Sequence, residues 1–142
     1  MKLILSTIVA GVFIYLFGWI FWGIIFGEYF KLHMEHIMRP EHDMKIWAYI
    51  VGSLLLAFFM SLIYSKYFRK GNSPFMEGLG FGFMIGFLMV LPHVFYYWAG
   101  MPVPYQPVIL EGIISGVMYV ITGLIIGLIY GKDKAPVAES TG

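Results

Sequence analysis

Four long apolar runs, separated by short polar stretches, constrain this fold more than any other feature of the sequence. They cover residues 3–27, 46–65, 75–98 and 108–130. Each run reaches the ~20 residues that an α-helix needs to cross the ~30 Å hydrocarbon core of a bilayer. Of the 142 residues, 60% are apolar and only 12% are charged, too few charges to cover a small water-soluble domain. The sequence therefore predicts an all-α integral membrane protein whose single domain, residues 1–131, contains four transmembrane helices.

The first run begins like a secretory signal peptide, because Lys2 is followed directly by apolar residues. It continues to residue 27, however, far beyond the ~7–15 residues of a signal-peptide core, and no small-residue cleavage site follows it. We therefore expect the first run to be a retained span.

Lysine and arginine residues are distributed unevenly between the two ends of the predicted helices. Three lie at one end, where four acidic residues accompany them. The other end has six, which are Lys2, Lys66, Arg69, Lys70, Lys132 and Lys134. By the positive-inside rule, both termini are expected in the cytoplasm and loops 28–45 and 99–107 outside. The last segment, residues 132–142, is small and polar without periodicity, which predicts a disordered cytoplasmic tail.

Small residues recur every four positions in the second and fourth spans. The two sets are Ala57, Ser61 and Ser65 in the second span, and Gly123, Gly127 and Gly131 in the fourth. A shift of 66 residues relates them and also aligns "SLIYSK" with "GLIYGK". Such spacing lets helix backbones approach closely in lipid, so these residues are predicted helix contacts, within the chain or between chains. The shift itself favours two tandem helical hairpins over a chance match between apolar sequences.

The stretch "KLHMEHIMRPEHDMK", residues 31–45, follows the first span and contains three of the four histidines. Continued as a helix, it gathers Met34 and Met38 on one apolar face, which predicts a short amphipathic segment with both methionines on the membrane. His33 and His36 fall on a flank of that helix. With His42 folding back they are candidate copper or zinc ligands, since imidazole binds both metals. A solvated loop is the alternative, and no cofactor is otherwise predicted.

His93, in "VLPHVFYYWAG", lies within the third span, where an ionisable side chain is costly and faces the bundle interior with a partner. Glu111 lies at a similar depth in the fourth span. We predict a hydrogen bond or ion pair between them. They are candidates for the polar floor of an outward cavity with Glu28 and His33 at its rim; the alternative is a structural lock between two helices.

Several classes of function find little support in the sequence. Cysteine is absent, so there is no thiolate chemistry or disulfide framework, and a net charge of +1 predicts no nucleic-acid partner. Nucleophile elbows, zinc-protease motifs and phosphate-binding loops are also missing. An enzyme is therefore the least favoured class.

"FGWIFWGIIFGEYFKLHM", "MEGLGFGFMIGF" and "GMPVPYQPVILEGIISGVMYVITGLIIG" resemble the first, third and fourth spans of an uncharacterised family of small bacterial four-helix membrane proteins. The resemblance covers about residues 10–131. It implies a four-helix architecture in a bacterial inner (plasma) membrane, and no activity, because that family has no assigned function.

Two functional hypotheses follow. The first is an inner-membrane protein that acts through helix packing, as a homo-oligomer or as an accessory subunit with other membrane subunits as partners. The second is a small transporter or metal-handling protein with an outward-facing His and Glu site. In both, the lipid bilayer is the surrounding partner.

Overall fold

The computed structural model describes residues 1–132, and these form helices joined by turns and loops, with no strand in that range. Five α-helices follow one another along the chain: α1 (Lys2–Gly18), α2 (Gly27–Met34), α3 (Ile46–Ile63), α4 (Pro74–Gly100) and α5 (Tyr105–Tyr130). Wider π-helical turns extend α1 over Trp19–Ile25 and α3 over Tyr64–Phe68. Two short 3₁₀ turns, Glu35–Ile37 and Glu41–Asp43, lie between α2 and α3.

Four of these helices are long and apolar enough to cross a membrane. With their extensions they cover Lys2–Ile25, Ile46–Phe68, Pro74–Gly100 and Tyr105–Tyr130, each end within about three residues of the span predicted from hydropathy. An all-α fold with four helices of membrane-spanning length is thus confirmed. Apart from Lys132, the predicted disordered tail lies outside the described residues.

The four long helices pack in the order α3, α1, α5, α4. The most extensive contact joins α4 to α5, the next joins α1 to α3, and α1 also packs along α5. Helices α3 and α4 meet mainly where the Tyr64–Phe68 extension reaches α4. As a consequence, 44% of the most apolar stretch of α5 is buried, compared with 17% of the corresponding stretch of α3. Helix α5 is therefore the centre of the fold, and α3 lies at its edge.

Glycines bring α4 and α5 into direct backbone contact over half their length. A Cβ atom added to Gly82 would lie 2.7 Å from the Tyr119 carbonyl oxygen, and one added to Gly123 would lie 2.5 Å from the Gly82 Cα atom. Gly78 and Gly127 continue the same contact one turn away. A larger residue at any of these positions would push the two helices apart. With glycine there, the backbones come close enough for the van der Waals contact that drives helix association in lipid.

Polar contacts hold the C-terminal end of α5, at the opposite end of the bundle from Pro92. Lys2 Nζ donates a hydrogen bond to the Tyr130 carbonyl oxygen at 2.6 Å, and Arg69 Nη2 donates to the same oxygen at 3.2 Å. That carbonyl is one of the last four of α5, which lack intrahelical donors. Two cations from the ends of α1 and α3 therefore satisfy the C-terminus of α5 and its negative dipole.

Glu77 fixes the short connection between α3 and α4. Its carboxylate accepts hydrogen bonds from the backbone N–H groups of Lys70, Gly71, Asn72 and Ser73, at 3.0 to 3.2 Å. Gly71, at φ 84°, supplies the left-handed turn that this wrap requires. One side chain thus organises four consecutive residues ahead of α4.

Candidate functional site

The candidate site is built on His93 and Glu111, which lie at matching depth in two neighbouring helices. Helix α4 continues through Pro92 without ending, and His93 lies six residues past the middle of that helix, about 9 Å along its axis at 1.5 Å per residue. Glu111 lies a similar distance from the middle of α5, whose direction is opposite. The antiparallel contact of α4 and α5 therefore places an imidazole and a carboxylate at one level of the apolar spans.

The structure brings these two side chains together at ion-pair distance. His93 Nε2 lies 3.9 Å from Glu111 Oε1, which is too long for a direct hydrogen bond. The side chain of His93 is 51% exposed and that of Glu111 is 24% exposed. Glu111 is therefore largely covered by the protein, whereas half of the imidazole faces whatever surrounds the helices.

Tyr97 completes the site and was not predicted from the sequence. Its ring centroid lies 4.7 Å from that of His93, with the planes inclined by 44°. Residues four apart face the same side of a helix, so the spacing from His93 to Tyr97 was the available signal. The cluster contains a base, an acid and a phenol, three groups that can carry protons or hydrogen-bond a polar partner.

Glu28 is not joined to this cluster. It lies exposed in the first turn of α2, and none of the hydrogen bonds or ion pairs within residues 1–132 links it to His93 or Glu111. His33, the other predicted rim residue, donates from Nδ1 to the Tyr29 carbonyl oxygen at 2.8 Å, within α2 itself. The rim of the predicted outward cavity thus stays a prediction.

The three histidines of the 31–45 stretch have separate surroundings. His36 donates from Nε2 to the Pro102 carbonyl oxygen at 2.9 Å, which ties this stretch to the loop between α4 and α5. His42 is exposed in the turn Glu41–Asp43. Over the described part of the chain, no three His, Asp or Glu side chains are grouped so that they could hold a metal ion. A copper or zinc site at His33, His36 and His42 remains a prediction without support from these contacts.

The apolar face of α2 is buried against the protein, which corrects the prediction that Met34 contacts the membrane. Met34 is 5% exposed, and Phe30 on the same face is also buried in the core. Met38, beyond the 3₁₀ turn, is 40% exposed. The periodicity located the apolar face correctly, but it could not distinguish lipid from the neighbouring helix α5 as the surface that covers it.

The small residues of α3 and α5 make contacts inside the chain. Ala57 and Ser61 are fully buried, Ser65 is partly buried and Gly123 and Gly127 press on α4. Gly131 has φ 66° and ends α5 rather than packing within it. The two seams contact different neighbours, and the internal repeat stays a prediction. The positions of Gly123 and Gly127 are therefore already occupied by contacts within the chain.

No family model, curated protein or solved structure matches this chain. The resemblance to small bacterial four-helix membrane proteins is therefore a prediction that these comparisons leave untested.

Proposed function

We propose that this chain is an integral protein of a bacterial inner membrane, crossed four times by the long helices. The support is their length and hydropathy together with the charge at each end. One end carries Lys2, Arg69 and Lys132 near the C-terminus of α5; the other carries the 28–45 and 99–107 loops, joined by the His36 hydrogen bond. In this proposal the lysine-rich end, with residues 2 and 132, is cytoplasmic.

Within that membrane the protein acts through helix packing, as a homo-oligomer or as an accessory subunit of a larger complex. The observation that carries this proposal is the half-exposed imidazole of His93 inside an apolar span. Polar side chains at membrane depth are expensive when they face acyl chains and are ordinarily turned toward protein or water. A neighbouring subunit that covers His93 and hydrogen-bonds with it removes this cost.

The surface for such a contact is the flank that exposes His93, since the glycine seam is already occupied. Gly123 and Gly127 are closed by α4 at backbone distance, whereas His93 has free ring edge beyond its approach to Glu111 and Tyr97. Interhelical hydrogen bonds in membranes contribute about 0.6 to 2 kcal/mol each. That is enough to bias association between otherwise apolar helices.

The experiment is a mass measurement of the protein in lipid nanodiscs, made on the wild type, His93→Leu and His42→Leu. We expect a wild-type mass above one chain, a shift toward single chains for His93→Leu, and wild-type behaviour for His42→Leu. The second variant is a matched control, because it makes the same substitution in an exposed loop histidine. A wild-type protein that is a single chain and copurifies with no other subunit would contradict the proposal.

A second candidate is a small transporter in which water, not a subunit, reaches His93. It is favoured by the approach of His93, Glu111 and Tyr97, because a base and an acid 3.9 Å apart can pass a proton or hold a cation between two helices. Proteoliposomes containing a pH-sensitive dye, and separately copper or zinc, test this candidate. Flux that is lost in His93→Leu while the mass of the assembly is unchanged would favour transport over assembly.

A further inference from the structure

Helices α4 and α5 also form an apolar groove that is separate from the His93 site. Where the glycine seam ends, the two helices leave a groove of about 700 Å³ between residues 83–95 of α4 and 109–121 of α5. Its fourteen lining residues are all Gly, Val, Leu, Ile or Phe. Neither His93 nor Glu111 lines it, so the groove and the polar site are separate.

The composition of the groove restricts its ligand to hydrocarbon. None of the lining side chains carries a nitrogen or oxygen atom, so a polar molecule would lose its hydrogen bonds to water and gain none. The volume lies within the ~300–1,000 Å³ of ordinary ligand sites. An unbranched aliphatic chain is the class of molecule that such a surface can bind.

The length of the groove corresponds to one leaflet of a bilayer. It extends over about 18 Å of helix at 1.5 Å per residue, compared with about 15 Å for half of the hydrocarbon core. Below it, the contact of Gly82 with Gly123 closes the space between the helices. At the other end, Trp98 and Tyr105 line a smaller hollow that shares Phe95 and Ile109 with the groove, and such aromatic side chains prefer the headgroup level.

A second copy of the chain does not match this site as well. A stable interface needs about 800 Å² per partner, contributed by some 20–30 residues on each side, whereas the groove offers fourteen. A partner helix would also cross both leaflets, whereas the groove ends only about 6 Å past the middle of α4, at Phe83. One lipid tail, in contrast, occupies a single leaflet with its headgroup beside the aromatic pair.

We propose that the α4–α5 groove is a binding site for one acyl tail of a phospholipid in the outer leaflet. This proposal rests on the membrane placement proposed above, but not on assembly through His93. Gly116 makes the site testable, because a Cβ atom added there meets no protein atom within 4 Å. Gly116→Leu therefore fills the groove without displacing a neighbour at its Cβ.

The test is native mass spectrometry of delipidated protein in detergent, titrated with dioleoylphosphatidylglycerol. We expect the wild type to retain one lipid per chain and Gly116→Leu to bind it about tenfold more weakly, equivalent to about 1.4 kcal/mol. Gly80→Leu is the matched control, since Gly80 lies on α4 outside the groove and its added Cβ also meets open space. It should bind lipid as the wild type does.

Equal lipid binding by the wild type and Gly116→Leu would overturn the proposal, as would equal loss in both glycine variants. A wild-type mass of two chains that Gly116→Leu reduces to one would show that a second copy occupies the groove. As an independent readout, a phospholipid with a photoreactive diazirine in its tail should label residues 83–95 and 109–121 of the wild type. Labelling confined to α3 would also overturn it. A chain that stays dispersed without detergent would instead refute the membrane placement.

Discussion

Replacing Gly82 by alanine should destabilise the protein by forcing α4 away from α5. The added Cβ atom would lie 2.7 Å from three backbone atoms, the carbonyl oxygens of Tyr119 and Val120 and the Val120 Cα atom. Ordinary van der Waals contact begins at 3.4 Å, so the backbones must separate by about 0.7 Å. Overpacking of this kind costs about 1–3 kcal/mol, and here backbone atoms, not flexible side chains, have to move.

The assay is unfolding in detergent micelles, followed by the fluorescence of the four tryptophans, for the wild type, Gly82→Ala and Gly80→Ala. Gly80 lies two residues away on the same helix, and its added Cβ meets no atom within 4 Å. Both variants make the same gain in helix propensity, up to about 1 kcal/mol, so their difference isolates the contact with α5. We expect Gly82→Ala to unfold earlier than the wild type and Gly80→Ala to match or exceed it.

Equal stability of the two variants would refute the reasoning, because it would mean that α4 and α5 do not meet at Gly82. The Cβ atom of Gly123→Ala would lie 2.5 Å from the Gly82 Cα atom. If this variant were also as stable as Gly80→Ala, the glycine contact between α4 and α5 would be excluded as a whole.

Two further predictions concern the ends of the helices. Glu77→Gln should lower the free energy of unfolding by about 1–2 kcal/mol, because an amide has one oxygen to replace a carboxylate that accepts four N–H groups; amide exchange at residues 70–73 should become faster, and unchanged exchange would contradict this role. Elemental analysis of the purified protein should show less than one copper or zinc per chain, since no three His, Asp or Glu side chains of residues 1–132 are grouped to hold an ion; a stoichiometric metal lost on changing His33 and His36 to alanine would establish the metal site instead.

The elements of this fold were predictable because a single physical variable, hydropathy over about 20 residues, decides them. The neighbours of each helix were not, because in an apolar span every face is apolar. The four-residue spacing of Gly123 and Gly127 marked one face of α5 as a helix contact, but nothing in the sequence identified α4 as the helix that meets it. Met34 illustrates the same limit: its face was found by periodicity, and its burial depends on where α2 folds.

The candidate site was partly accessible from the sequence for the opposite reason. Ionisable residues in apolar spans are so costly that they must find partners. A count of residues places His93 and Glu111 in the same outer leaflet, about 7–8 Å and about 12 Å from the bilayer centre, and the structure brings the two side chains to 3.9 Å. The hydrogen bond from His36 to Pro102 could not be anticipated, since it joins two loops 66 residues apart. The four hydrogen bonds that Glu77 accepts were not predicted either, because the helix dipole alone is enough to explain a carboxylate in the first turn of a helix.

Labelling of cysteines introduced at the two ends of α3 tests most directly the central claim, that the long helices cross a membrane with the lysine-rich end inside. The chain has no cysteine, so His42→Cys and Asn72→Cys each give one reactive thiol, at opposite ends of α3 and exposed at both positions. In intact cells a membrane-impermeant maleimide should label the thiol at position 42 and reach that at position 72 only after the membrane is opened. Equal labelling of both positions in intact cells, or of neither until lysis, would contradict the account.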